Sequence, residues 1–123
     1  DLFLDTHYYS AHATALDALT AGLPILCCPG PSLAGRATAS MLTTLGLDDL
    51  VSPDLESYTD TAVRLSLDWC HSLKTRLSQA QNEGPFFNRK LFVQNLESAF
   101  YLITTRTESS LPTKRLVVTP SSS

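Results

Sequence analysis

Leu2-Phe3-Leu4-Asp5, a polar and aromatic loop from Thr6 to Ala11, then His12-Ala13-Thr14-Ala15-Leu16-Asp17 is the stretch on which the fold turns. A short apolar run ends in an acid, a loop follows, and a helix opens with a hydroxyl in its first turn. The helix is expected over 13–21, with Leu16 and Leu19 on its buried side. Gly22 stands where a C′ glycine belongs, and Pro24 bars continuation. Ile25-Leu26-Cys27-Cys28 is then a continuous apolar run, as in a parallel strand covered on both faces. Leu2–Asp5 and Ile25–Cys28 are therefore expected to be neighbouring parallel strands.

The pattern repeats downstream. Pro29-Gly30-Pro31-Ser32 is an abrupt turn. A second helix is expected over 33–45, stopped by Gly46. Its small residues Ala34, Gly35, Ala37, Thr38, Ala39 and Ser40 allow close helix–sheet approach. Leu50-Val51 reads as a short edge strand. A βαβα order argues for a parallel sheet with right-handed crossovers, and both helices are expected to pack on it.

The chain then turns helical. Ser52-Pro53-Asp54 is a helix start. Tyr58, Ala62, Leu65 and Trp69 recur at helical spacing in a stretch that reaches Gln81, as one helix or two. Gly84-Pro85 breaks it. Asn88 to Thr104 is amphipathic, with a stripe of Leu91, Phe92, Leu96, Phe100 and Ile103. That stripe either closes a local core or is an interface. Residues 105–123 are Ser/Thr/Pro-rich and read as a flexible, disordered tail. Three regions result: 1–52 as a partial Rossmann-like core, 53–104 as a helical continuation, and 105–123 as tail.

Composition narrows the function. The 123 residues suit one domain, 43% are hydrophobic, and the formal net charge is −3. No global charge favours nucleic acid or an anionic membrane. No apolar run approaches the roughly 20 residues of a membrane-spanning helix. Cys27 and Cys28 are adjacent and Cys70 is alone, with no CxxC pair, which points to buried free thiols in a reducing compartment rather than zinc or disulfides. Asp48-Asp49 lacks clustered hard ligands and reads as a solvated turn, so no metal is expected. His7 and His71 read as surface residues. The opening Asp1-Leu2-Phe3, without an initiator Met or a basic leader, suggests a chain cut from something larger.

The chemistry concentrates at His12-Ala13-Thr14. Backbone N–H groups at a helix N-terminus are unpaired, and the helix dipole favours an anion such as a diphosphate. Thr14 adds a hydroxyl. Asp17 shares its helix face and suits ribose hydroxyls, as in doubly wound nucleotide sites. The same residues also fit a plain helix cap with an acid answering the dipole.

Several separated blocks agree with one family. Asp1-Leu2-Phe3-Leu4-Asp5-Thr6, Ala11-His12-Ala13-Thr14, Asp17-Ala18-Leu19 and Ala21-Gly22-Leu23-Pro24 resemble the C-terminal part of protein O-GlcNAc transferases. So do Pro29-Gly30, Leu33-Ala34-Gly35-Arg36, Ser40-Met41-Leu42, Leu45-Gly46-Leu47 and Pro85-Phe86-Phe87-Asn88. The resemblance covers about residues 1–104. It implies an α/β, Rossmann-like part of the C-terminal lobe of a GT-B glycosyltransferase. That lobe binds UDP-N-acetylglucosamine, whose sugar passes with inversion to Ser or Thr hydroxyls of proteins, with no metal and no cofactor.

By the same resemblance, His12, Ala13 and Thr14 face the diphosphate and Asp17 the ribose. The family's His-Thr-Thr has lost its first hydroxyl at Ala13, where the backbone donor persists. Tyr8, Tyr9 and Ser10 stand where the family carries small or polar residues near the sugar's acetamido group. Arg36 matches a family arginine, or is structural, pairing with a helix end or with an acid such as Asp48. No catalytic residue is expected in this chain. The resemblance places the acceptor-side residues, the uracil-binding segment, a diphosphate-facing lysine and the tetratricopeptide repeats upstream. The expected partners are a UDP-sugar, a protein acceptor and that upstream lobe, without nucleic acid or membrane, in the cytoplasm or nucleocytoplasm. The alternatives are a non-catalytic nucleotide-binding or interaction fragment, a protein O-fucosyltransferase lobe, and an unrelated flavodoxin-like domain.

Overall fold

A computed structural model describes residues 1–64, 67–109 and 111–118. Strand β1 (Phe3–Leu4) pairs in parallel with β2 (Ile25–Leu26), with Phe3 opposite Ile25 and Leu4 opposite Leu26. The expected strand pairing is present over a shorter ladder. Flanking backbone bonds extend it, from Phe3 N–H to Pro24 O (2.9 Å) and from Asp5 N–H to Leu26 O (3.0 Å).

Helix α1 (Ala13–Thr20) connects the strands and packs on β2. Gly22 has φ +76°. Its N–H donates to Leu19 O, and that of Leu23 reaches back to Ala18 O, a Schellman closure of the orphan carbonyls. The buried face of α1 departs from expectation. Ala15 and Leu19, four apart, are fully buried, whereas Leu16 is 41% exposed. Leu16 is rotated about 100° from Ala15, and the sheet takes the Ala15 face.

Helix α2 (Ala37–Thr44) starts four residues later than the expected Leu33. Residues 32–36 instead form tight turns, with Gly35 N–H on Ser32 O and Arg36 N–H on Leu33 O. A second Schellman closure ends α2, with Gly46 at φ +69°. The helix packs chiefly against a 3-10 turn at Asp48–Leu50 rather than on the strands. The edge strand expected at Leu50-Val51 reduces to a single parallel bridge, Val51 to Cys27.

Helix α3 (Leu55–Arg64) begins after Asp54, whose carboxylate accepts the Ser57 N–H at 2.7 Å. Helix α4 (Leu67–Glu83) follows. Leu65, one member of the expected stripe, lies outside the described residues. Leu73 and Leu77 of α4 join Leu19, Ile25, Leu26, Leu42, Leu47 and Leu50 in the core. Gln81 of α4 donates its side-chain N–H to Thr20 O at 3.1 Å, closing the end of α1.

The chain divides into two compact units, Asp1–Phe86 and Phe87–Ser123. The second holds α5 (Arg89–Glu108), capped by the Asn88 side chain on the Leu91 N–H at 2.9 Å. Helix α5 runs past the expected end at Thr104, so the expected tail loses its first turn to the helix. Residues 111–118 have no regular secondary structure, and the end of the expected tail, 119–123, lies outside the described residues. On α5, Phe92 is 65%, Phe100 59% and Ile103 50% exposed. Among the described residues, no helix is long and apolar enough to cross a membrane.

Candidate functional site

Two parallel strands send their following loops out at the same sheet edge, where ligands of open α/β sheets sit. Here those loops are residues 5–12 after β1 and 27–36 after β2. They meet closely. A Cβ on Gly30 would lie 2.3 Å from the His7 carbonyl oxygen, and one on Gly35 would be 3.0 Å from both that atom and the Gly30 Cα. Gly30 has no room for a Cβ, and at Gly35 one would fit only if the facing backbone gave way by a few tenths of an ångström.

Polar groups bolt the first loop down. The buried Asp5 carboxylate accepts the Ala11 N–H at 2.8 Å, and the Asp5 carbonyl accepts the Tyr58 hydroxyl at 2.9 Å. Thr6 donates its hydroxyl to Tyr9 O at 2.6 Å. His7 Nδ1 faces Cys28 O at 3.0 Å, and His12 Nε2 faces Ala34 O at 3.1 Å. A carbonyl only accepts, so each of those nitrogens carries its proton. Ser10 bonds to both Ala34 O and Ala37 N, and Thr38 donates its hydroxyl to Ala11 O at 2.9 Å.

The loop delivers the chain to α1. His12 is the N-cap, yet its side chain makes no capping bond, and the first turn holds no acid. The first helical bond runs from Leu16 N–H to His12 O at 3.1 Å. Helix geometry leaves the N–H groups before Leu16 without intrahelical partners. The plain-cap alternative thus finds no capping side chain here. His12, Ala13, Thr14 and Asp17 are all exposed while Ala15 turns inward. The structure therefore brings the four sequence-predicted positions to one open end of one helix. The Tyr9 ring stacks on the His12 imidazole, with centroids 5.1 Å apart and planes 15° apart, and stays exposed. Tyr8 lies edge-on to His7, with centroids 5.0 Å apart.

Other candidates resolve into structure. Arg36 donates Nε–H to Gly30 O at 3.1 Å and makes no described ion pair with Asp48. Asp49, expected to be merely solvated, takes a two-pronged contact from Arg76, with both distances 2.7 Å. The Arg76 hydrogen bond holds the Asp49 carboxyl below its ordinary range. His7 is half-buried rather than a surface residue, and His71 is exposed. Cys27 and Cys28 are buried free thiols. Burial, with the nearby Asp5 charge, pushes the Cys27 thiol up to about 12, and burial raises Cys28 as well. Neither has the character of an activated nucleophile. Among the described residues, no three His, Cys, Asp or Glu side chains gather as a metal site.

Sequence reasoning missed Ser10 as a buried support, along with Thr38 and Tyr58. All three act across long separations that local spacing does not encode. The Gly30–Gly35 pair was the one visible hint of close contact.

Comparison with known proteins places these features in context. The model of a family described as Glycosyl transferase family 41 matches residues 1–96. The UDP-N-acetylglucosamine--peptide N-acetylglucosaminyltransferase of Caenorhabditis elegans is 32% identical over 114 residues, which is 91% of this chain and 10% of that protein. A probable enzyme of the same description from Arabidopsis thaliana, SEC, is 31% identical over 82% of this chain and 11% of its own length. The solved structure of a Thermobaculum terrenum O-GlcNAc transferase mutant superposes with TM-score 0.71 at 34% identity, covering 80% of this chain and 19% of that one. The chain thus spans about a tenth of the length of these curated relatives.

Proposed function

This chain belongs to glycosyl transferase family 41, and we propose that it forms the donor-binding part of a protein O-GlcNAc transferase, within a Rossmann-like lobe of a GT-B fold. The reaction is inverting transfer of N-acetylglucosamine from UDP-GlcNAc to Ser or Thr hydroxyls of proteins. The observation that carries this reading is the open, uncapped and acid-free N-terminus of α1, held at the carboxyl end of a parallel strand by a buried polar network.

Each residue has a role in this reading. The N–H groups of Ala13 and Thr14, with the Thr14 hydroxyl, donate to the diphosphate. The helix dipole adds favourable potential for its charge. His12 closes the loop onto Ala34 and sets the helix mouth. Asp17 accepts from the ribose hydroxyls. Oriented backbone donors stabilise the leaving diphosphate as its negative charge grows, without reorganising. No metal or cofactor takes part. The acceptor-side base, the uracil contacts and the repeats that select protein acceptors belong to other parts of the enzyme, which acts in the cytoplasm or nucleocytoplasm.

Calorimetric titration of a complete enzyme carrying this part, with UDP and with GDP, tests the reading. UDP binds and GDP binds more weakly. Asp17→Ala costs about 1–3 kcal/mol of UDP affinity, the scale of a charged hydrogen-bond partner, and Thr14→Ala about 0.5–1.5 kcal/mol because the amides remain. Equal affinity for UDP in Asp17→Ala would move the ribose contact elsewhere. Preference for GDP would favour a fucosyl donor instead.

A further inference from the structure

We infer that Ser10 is the positioning residue of the donor site: its hydroxyl closes the mouth of α2 and thereby holds open the mouth of α1. This rests on the reading that the α1 N-terminus takes the diphosphate. Two helices begin beside the paired loops, and neither N-cap residue, His12 or Arg36, makes a side-chain capping bond. Their mouths are nonetheless treated differently. The first N–H of α2, that of Ala37, donates to Ser10 Oγ at 3.1 Å, a cap supplied from 27 residues upstream. No side chain among the described residues does the same for α1.

The same hydroxyl donates to Ala34 O at 2.8 Å. That carbonyl also receives the Ser10 N–H at 2.9 Å and His12 Nε2 at 3.1 Å. Thr38, one residue into α2, takes Ala11 O, and Asp5 takes Ala11 N–H. Residues 10, 11 and 12 are thus each tied to the segment 34–38 immediately before α1 begins. Ser10 is the member that bonds both to the turn and to the helix. It is only 2% exposed, so its removal leaves the Ala37 N–H in a site that water does not readily reach. An unsatisfied amide there favours loosening of the loop, and a loosened loop lets His12 and the first turn of α1 move. Donors that must be ordered by the ligand bind it less well than donors already aimed.

The test compares Ser10→Ala, Ser10→Thr and Arg76→Ala by amide hydrogen exchange in the 123-residue chain and by UDP titration of a complete enzyme carrying it. Ser10→Ala speeds exchange at the Ala11 and Leu16 amides about tenfold relative to the Leu77 amide in α4, and weakens UDP binding about tenfold, the change that 1.4 kcal/mol produces. Ser10→Thr, which keeps the hydroxyl, returns both toward wild type. Arg76→Ala destabilises the fold away from the loop and moves neither quantity. Unchanged exchange at Ala11 and Leu16 in Ser10→Ala overturns the inference. So does an equal loss in Ser10→Thr. If the wild-type enzyme binds no UDP, the donor-binding reading fails, while the exchange data still decide what Ser10 does.

Discussion

Cys27 and Cys28 directly follow β2, buried and with thiols shifted upward by desolvation, whereas Cys70 on α4 is only half-buried. Thiolate, not thiol, reacts with electrophiles. Iodoacetamide at neutral pH should therefore label Cys70 first in the native chain and reach Cys27 and Cys28 only on unfolding, as mass spectrometry of the labelled peptides will report. Early labelling of Cys28 would show that its thiol is more accessible and more reactive than its burial implies. Gly30 sets the second residue-level limit. Its missing Cβ is what lets the two loops touch, at 2.3 Å from a backbone oxygen that has no side-chain freedom to retreat. Gly30→Ala should lower stability by about 1–3 kcal/mol, the range for forced overpacking, in a urea melt. A change below 0.5 kcal/mol would mean that the loops part easily. The proposed contact residues His12, Ala13, Thr14 and Asp17 were singled out by the sequence because they follow a strand in one local run. Ser10 was not. A serine in a loop has no signature until the partner it caps, 27 residues on, is in place.

At the scale of elements, local punctuation was the reliable guide. Gly22 and Gly46 stop α1 and α2 as read, because a left-handed residue is a local demand. The start of α2 was misplaced because its cap comes from another loop, and the inward face of α1 was misjudged because Ala15 and Leu16 offered two apolar choices that only the sheet decides. The link between α4 and the 3-10 turn is also tertiary. Arg76 grips Asp49 and depresses its carboxyl through hydrogen bonding. A carboxyl with a lowered folded-state value contributes stability that is full above the ordinary value near 4. That contribution fades as pH falls through the lowered folded value. Both side chains are about two-fifths exposed, so the pair is worth only about 0.2–1 kcal/mol. Wild type and Arg76→Ala should differ by that amount in urea melts at pH 7 and converge as pH falls through the lowered Asp49 value; a gap that persists once the carboxyl is protonated would assign the effect to packing. Helix α5 poses the opposite case. Phe92, Phe100 and Ile103 stand open together, and an apolar surface of this kind marks a partner site or an aggregation liability. Sedimentation velocity should show concentration-dependent association of the chain, abolished by Phe92→Ser with Phe100→Ser. A monomer at all concentrations would remove the stripe as a contact surface.

For the molecule as a whole, binding and chemistry separate. The mouth of α1 offers backbone donors, the Thr14 hydroxyl and Asp17. The ring nitrogens of His7 and His12 that carry protons are spent on carbonyls. Sugar transfer also requires a group that takes the acceptor's proton. The 123-residue chain should accordingly leave radiolabelled UDP-N-acetylglucosamine untransferred to a Ser/Thr peptide while still holding the nucleotide. Turnover above a buffer control would show that the acceptor-side chemistry lies within these residues. Whether the nucleotide sits at the open end of α1 is read from amide NMR of the ¹⁵N-labelled chain titrated with UDP. Shifts should concentrate at Ala13, Thr14, Ala15 and Asp17 and saturate together, with α4 amides such as Leu77 unmoved. Saturable shifts centred on any other element, with those four amides silent, would contradict that placement.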